Sequence, residues 1–186
     1  MSSAVPSVHS VHFYDSHEAL IDRLRGVVSA GLVIGNSVLI VATEDHRNQL
    51  IRALQLLDVD VRECARQNRF TMCDAEEMLS KFMVKGLPDP ALFLSSVGTL
   101  LAEAKRSARS EEQGLVVFGE MVAVLWEKGN RAGALALEKL WNDLLNERAF
   151  HLHCAYPRAH FAQDEAGMVN VCESHSHILG KLAPAN

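Results

Sequence analysis

The sequence predicts an α/β domain in three layers, a mainly parallel central sheet of about five strands flanked by helices. Three observations predict it. Ser37–Ala42 and Leu115–Phe118 are short apolar runs without alternation, as expected of strands buried on both faces of a parallel sheet. Between such runs lie segments whose apolar residues recur at helical spacing. The junctions carry helix-capping and turn residues. With 186 residues, 48% hydrophobic and 22% charged, the chain has an ordinary globular composition and can bury roughly 70% of its unfolded surface in one core.

Val8–Tyr14 reads as the first strand, running into Asp15-Ser16-His17-Glu18, where Asp15 caps a helix and Glu18 reaches back. Leu20, Leu24 and Val27-Val28 form one face of that helix, and Gly31 and Gly35 stop it. After the strand Ser37–Ala42, Thr43 is an N-cap with Glu44 and Asp45 in the first turn, and Leu50, Leu54 and Leu57 form the buried stripe. Phe70–Cys73 is a third strand, followed by a short helix near 75–83 and the turn Gly86-Leu87-Pro88-Asp89-Pro90. Asp89 caps the next helix and Pro90 begins it, with Phe93, Val97, Leu100-Leu101 and Ala104 on its apolar face. A polar stretch from Arg106 to Gln113 returns the chain to the fourth strand, Leu115–Phe118, which delivers Gly119-Glu120-Met121. A helix over about 131–148 buries Leu137, Leu140-Trp141 and Leu144-Leu145, and Phe150–Ala155 is a fifth strand. Residues 168–179 read as a helix or as a helix and a strand. No repeat or linker divides the chain, so residues 9–180 read as one domain between a flexible N-terminus (1–8) and a C-terminal tail (181–186).

The formal charge is −5, and no Lys/Arg run exceeds Lys105-Arg106, so direct nucleic-acid binding is not expected. Residues 1–10 lack a basic and apolar leader, and no stretch has the roughly 18 apolar residues of a membrane span. A cytoplasmic protein is expected. Its four cysteines, Cys64, Cys73, Cys154 and Cys172, form no C-x-x-C pair and are expected as free thiols.

Ligands of open parallel sheets bind beyond the carboxyl ends of the strands, which here carry Tyr14-Asp15, Thr43-Glu44, Asp74, Gly119-Glu120 and Tyr156. Asp15 and Asp74 are explained equally well as caps. Glu120 differs: a carboxylate directly after Leu-Val-Val-Phe-Gly is costly to bury unless paired, which points to a ligand contact or a hydrogen bond to a helix start. Phe13, Tyr14, Glu44, Glu120, Met121 and Tyr156 are therefore the candidate ligand-binding residues. Tyr14, Glu44, Glu120 and Tyr156 are expected around one cavity, walled by Phe13 and Met121. His151 and His153 share a strand face and, with Cys172, His175 and His177, form an alternative metal set for a hydrolase, although no metal-binding spacing is present. G-x-x-x-x-G-K-[ST] and G-x-S-x-G are absent, and Cys154 and His153 point to opposite faces of their strand. Neither catalysis nor a cofactor is expected.

His12-Phe13-Tyr14, Gly31-Leu32-x-x-Gly35, Gly119-Glu120-Met121, Cys154-Ala155-Tyr156-Pro157 and Cys172-x-x-His175-Ser176-His177, in this order, resemble the MEDS domain, a sensory domain of methanogen and methylotroph regulators such as the dichloromethane dehalogenase repressor. The resemblance covers about residues 9–180. It implies a degenerate RecA/KaiC-like domain: Val41-Ala42-Thr43-Glu44-Asp45 falls where those ATPases place an acidic pair, Phe118-Gly119-Glu120 falls at their Walker B carboxylate, and the phosphate loop is missing. It further implies sensing of small molecules, hydrocarbon-like ones included, and relay to a transcriptional or histidine-kinase partner. A residual nucleotide-binding protein and a homodimer stay open. The repressor's DNA-binding segment precedes its sensory domain, whereas about eight residues precede the first strand here, so output through a separate protein is expected.

Overall fold

The computed structural model describes residues 7–57, 59–110 and 114–180. The 181–186 tail, most of the 1–8 segment and the end of the Arg106–Gln113 stretch lie outside them. In chain order the elements are β1 (Val8–Tyr14), α1 (His17–Val33), β2 (Ser37–Ala42), α2 (Glu44–Leu54), α3 (Val61–Arg66), β3 (Phe70–Asp74), α4 (Ala75–Ser80), β4 (Met83–Val84) and β5 (Leu87–Pro88). They continue with α5 (Pro90–Phe93), a π turn (Leu94–Gly98), α6 (Thr99–Arg106), β6 (Leu115–Gly119), α7 (Met121–Glu127), α8 (Arg131–Glu147), β7 (His151–Pro157), a 3₁₀ turn (Arg158–Phe161), α9 (Glu165–Glu173) and β8 (His177–Leu179).

Six strands form one sheet in the order β3-β2-β6-β7-β1-β8, every pairing parallel, and β4-β5 is a separate antiparallel hairpin. The apolar run Ser37–Ala42 is buried along its whole length, as is Leu115–Gly119, because helices cover both faces. One core lies under α1, α2 and α3, where Leu20, Leu24, Val28, Leu50 and Leu54 meet Val38, Ile40 and Phe118. The larger core lies on the other face, where Phe93, Val97, Leu137, Trp141 and Leu144 meet Val11, Leu39, Val117 and Leu152.

Several junctions depart from the sequence reading. Ser16, not Asp15, caps α1, accepting from Ala19 N–H at 3.2 Å, while Asp15 pairs with Arg158 at 2.8 Å. Gly31 lies inside α1, where a Cβ would come within 3.2 Å of Val38, and Gly35 alone takes the left-handed turn conformation (φ 95°). β1 has the bounds read from the sequence, Val8–Tyr14, with Val8 paired to His151, so of the 1–8 segment Val8 belongs to the strand. The helices α3 and α7 are additional; α7 begins directly after Glu120, where the sequence marks only the end of a strand. The 168–179 segment resolves into the end of α9 and β8, which adds a sixth strand beside β1.

Candidate functional site

All the parallel strands deliver their carboxyl ends to one edge, and Glu120 is the charged group buried there. Its backbone N–H continues the β6–β2 ladder by donating to Val41 O at 2.9 Å. Its side chain turns toward α2. Oε2 accepts the Thr43 N–H at 2.9 Å and the Thr43 hydroxyl at 3.3 Å, and Oε1 accepts from His46 Nδ1 at 2.5 Å. Thr43 is thus an N-cap residue whose hydroxyl serves Glu120 instead of its own helix. The carboxylate lies at the positive end of α2, which favours negative charge.

His46 continues the chain of bonds outward. Its Nε2 lies 2.6 Å from Nδ1 of His17, an exposed residue in the first turn of α1. Tyr14 packs edge-on against His46, with ring centroids 6.4 Å apart. Burial alone would lower the His46 pKa, but the hydrogen bond and charge of Glu120, with Asp45 adding, raise it above its ordinary value. An imidazolium at His46 donates to both neighbours. Burial, then the Glu120 charge, pushes the Tyr14 phenol upward, so Tyr14 stays neutral.

The shared cavity expected from the sequence is not formed. Phe13 pairs in register with Tyr156, which puts both on the α8 face, while Tyr14 points to the α1 face. The Tyr156 hydroxyl donates to Glu138 Oε1 at 2.7 Å, and Phe13 packs on Tyr156 and Phe161. Met121 is buried in the same α8-side core, and Glu44 is exposed in the first turn of α2. Of the six candidates, Tyr14 and Glu120 lie at one place, each against His46, while Phe13 and Tyr156 meet on the opposite face of the sheet. Asp74 caps α4 through Glu76 N–H and Glu77 N–H, both at 2.9 Å, and binds Arg47 at 2.8 Å.

The expected metal set does not assemble either. His151 and His153 lie on the α1 side of β7, where His153 Nδ1 is 2.6 Å from Ser10 Oγ. Burial, reinforced by His151, Arg23 and His9, lowers the His153 pKa to about 4. His177 is exposed and contacts Ser176 Oγ at 3.0 Å, and Cys172 is half-buried on α9. Only His175 of that set enters a buried cluster, formed with His9, Glu138 and Cys154 on the opposite face of the sheet. Sequence reasoning missed His9, His17, His46 and Glu138. Two had a signal: His46 stands on the Leu50/Leu54 stripe of α2, and Glu138 on the Leu137/Trp141/Leu145 stripe of α8, positions where a polar residue is costly.

The family model for MEDS, the methanogen/methylotroph, DcmR sensory domain, matches residues 8–176. The chain belongs to this family. A sensory or regulatory role follows for this MEDS domain from that membership. Among solved structures it is similar to the uncharacterized protein PH0321 from Pyrococcus horikoshii, crystallised in complex with an unknown peptide. The TM-score is 0.66 at 14% identity, over 95% of this chain and 77% of that one. At such identity the likeness shows the fold of the MEDS domain, not its ligand. No curated protein matches the sequence. Among the described residues, no helix is long and apolar enough to cross a membrane.

The His46–Glu120 pair makes stability pH-dependent. Because the folded pKa of His46 is raised, its contribution is complete below the unfolded value, about 6.5, and is lost as pH rises through the folded value. Urea unfolding over pH 6 to 9 is expected to show a loss of stability that His46→Gln removes. An identical slope in the variant would place the dependence elsewhere.

Proposed function

We propose that this MEDS domain is a sensory module without turnover of its own. It takes up a small molecule, hydrocarbon-like compounds among them, at the carboxyl edge of the sheet, and passes the change to a separate regulator or histidine kinase. The observation that carries this reading is the hydrogen-bonded path from exposed His17 through His46 to buried Glu120. The path spans α1, α2 and the end of β6, so a molecule that rearranges its outer end changes the bonds by which α2 is held to the sheet. A ligand shifts such an equilibrium only by its differential affinity for the two arrangements. Competition for His17 Nδ1, or packing against the edge of Tyr14, supplies that difference.

The loop after β1 lacks what ATP turnover requires. Tyr14-Asp15-Ser16-His17-Glu18 has neither the glycines that turn backbone amides toward phosphates nor the lysine that matches their charge. ATP is therefore expected to be neither hydrolysed nor to raise the melting temperature. A panel of one-carbon, halogenated and short hydrocarbon compounds tests the sensory reading, with His17 and His46 imidazole resonances and Tm as readouts. A ligand at about 100 times its Kd adds roughly 2.7 kcal/mol, which raises Tm by several degrees in a domain of this size. His17→Ala is expected to keep the fold and lose the response. ATP turnover that Glu120→Gln abolishes, or responses mapping away from this edge, would refute the reading.

A further inference from the structure

We propose that His9, Glu138, Cys154 and His175 form a closed binding site for a zinc-class divalent transition ion, through His9 Nε2, His175 Nε2, Cys154 Sγ and one carboxylate oxygen of Glu138. The four ligand atoms all lie within 4.8 Å of one another, and all four residues are buried. Bond lengths of about 2.0–2.3 Å to nitrogen, oxygen and sulfur put tetrahedral ligands roughly 3.3–3.8 Å apart. Three edges fall in this range with Oε2 as the carboxylate ligand, 3.4 Å from His9 Nε2 to Cys154 Sγ, 3.4 Å from His9 Nε2 to Glu138 Oε2 and 3.8 Å from Cys154 Sγ to Glu138 Oε2, and His175 Nε2 lies 3.6 Å from Oε1 of the same carboxylate.

The surroundings fix the ligand atoms in the state a metal requires. His175 Nδ1–H donates to the Val171 carbonyl at 2.7 Å, which leaves Nε2 with its lone pair. That nitrogen is buried, faces Glu138 and has no hydrogen-bond partner. Asn142 Nδ2–H donates to the Ser174 carbonyl at 2.8 Å, so Asn142 Oδ1 faces His9 and accepts from His9 Nδ1–H at 2.8 Å. With Nδ1 held by Asn142, Nε2 is the His9 ring nitrogen that faces Cys154 and Glu138. Outer carbonyl and amide partners of this kind orient metal-binding imidazoles. Tyr156 holds the remaining Glu138 oxygen at 2.7 Å.

Charge balance agrees with the geometry: a Cys154 thiolate and the Glu138 carboxylate together carry two negative charges, which one divalent cation offsets. Binding transfers the thiol proton to solvent and leaves thiolate, carboxylate and cation neutral in sum. Four protein ligands leave no position for a catalytic water, so the ion is structural or sensory. It joins β1, α8 and β7 to the segment after α9 that leads into β8.

Protein expressed without added metal and kept reduced tests the site by titration with Co²⁺. The expected result is one equivalent bound, with visible bands of tetrahedral cobalt and a thiolate-to-cobalt charge-transfer band. Zn²⁺ should displace the cobalt and raise Tm. His175→Ala should abolish binding, Cys154→Ser should remove the charge-transfer band, and Asn142→Ala should weaken affinity by about 10–100-fold. The C64S/C73S/C172S triple variant, which leaves Cys154 as the single cysteine, should keep the full spectrum and decides the matter if Cys154→Ser fails to fold. No bound cobalt, an octahedral spectrum, a charge-transfer band that persists in Cys154→Ser, or its loss in the folded triple variant would overturn the proposal.

Discussion

Replacing Glu120 with alanine is expected to cost about 3–5 kcal/mol of folding stability, the range for breaking a buried charged pair. The carboxylate is 3% exposed and accepts three hydrogen bonds, from Thr43 N–H, the Thr43 hydroxyl and His46 Nδ1. Its removal leaves buried donors at the start of α2 without partners, and each unsatisfied group costs about 1–3 kcal/mol. Glu120→Gln keeps an acceptor for Thr43 and should cost clearly less. Chemical denaturation of both variants and of the Glu120→Ala/His46→Ala pair measures the coupling. Additive losses would show that the two side chains do not act together. The sequence alone leaves open a ligand contact or a hydrogen bond to a helix start for Glu120, and these bonds tie the residue to the start of α2.

Trp141→Ala is expected to be as damaging, at about 3–5 kcal/mol. The indole is fully buried between α8 and its neighbours, edge-on to Phe93 with ring centroids 5.2 Å apart and 6.4 Å from Phe150. Truncation removes both aromatic contacts and leaves a cavity that rigid strands on one side and the α5–α6 segment on the other cannot close. Trp141→Phe should recover much of the loss. A denaturation midpoint near wild type for the alanine variant would mean that the core collapses into the space. Because the indole lies away from the Glu120 edge, a Trp141 variant that still folds should retain the His17 and His46 resonances.

How much of this was legible beforehand differs between fold and site. Buried apolar runs, helical periodicity and caps such as Asp74 and Asp89 locate most elements, because these signals act within a few residues and the cap bonds are present. The carboxyl edge as the place of Glu120 also follows from the sequence, since strands in a parallel sheet all end on one side. Two helices were missed. The α3 helix is only six residues long, and α7 is buried at nearly every position and so has no polar face to reveal a helical period.

What the sequence by itself determined is the α/β layering, the edge where Glu120 lies and the membership that its ordered motifs suggest. What only the tertiary structure decided is which side chains meet. Register made the difference for the tyrosines: β1 pairs with β7 so that Phe13, not Tyr14, stands beside Tyr156, and a shift of one residue would have reversed every face. His46 reaches Glu120 across 74 positions of the chain, and His9 reaches Cys154 across 145. Pairings of that length leave no local periodicity; at most they leave a polar residue on an apolar stripe, as at His46 and Glu138. The stripe marks a group that needs a partner, and packing of the helices on the sheet selects which partner it finds.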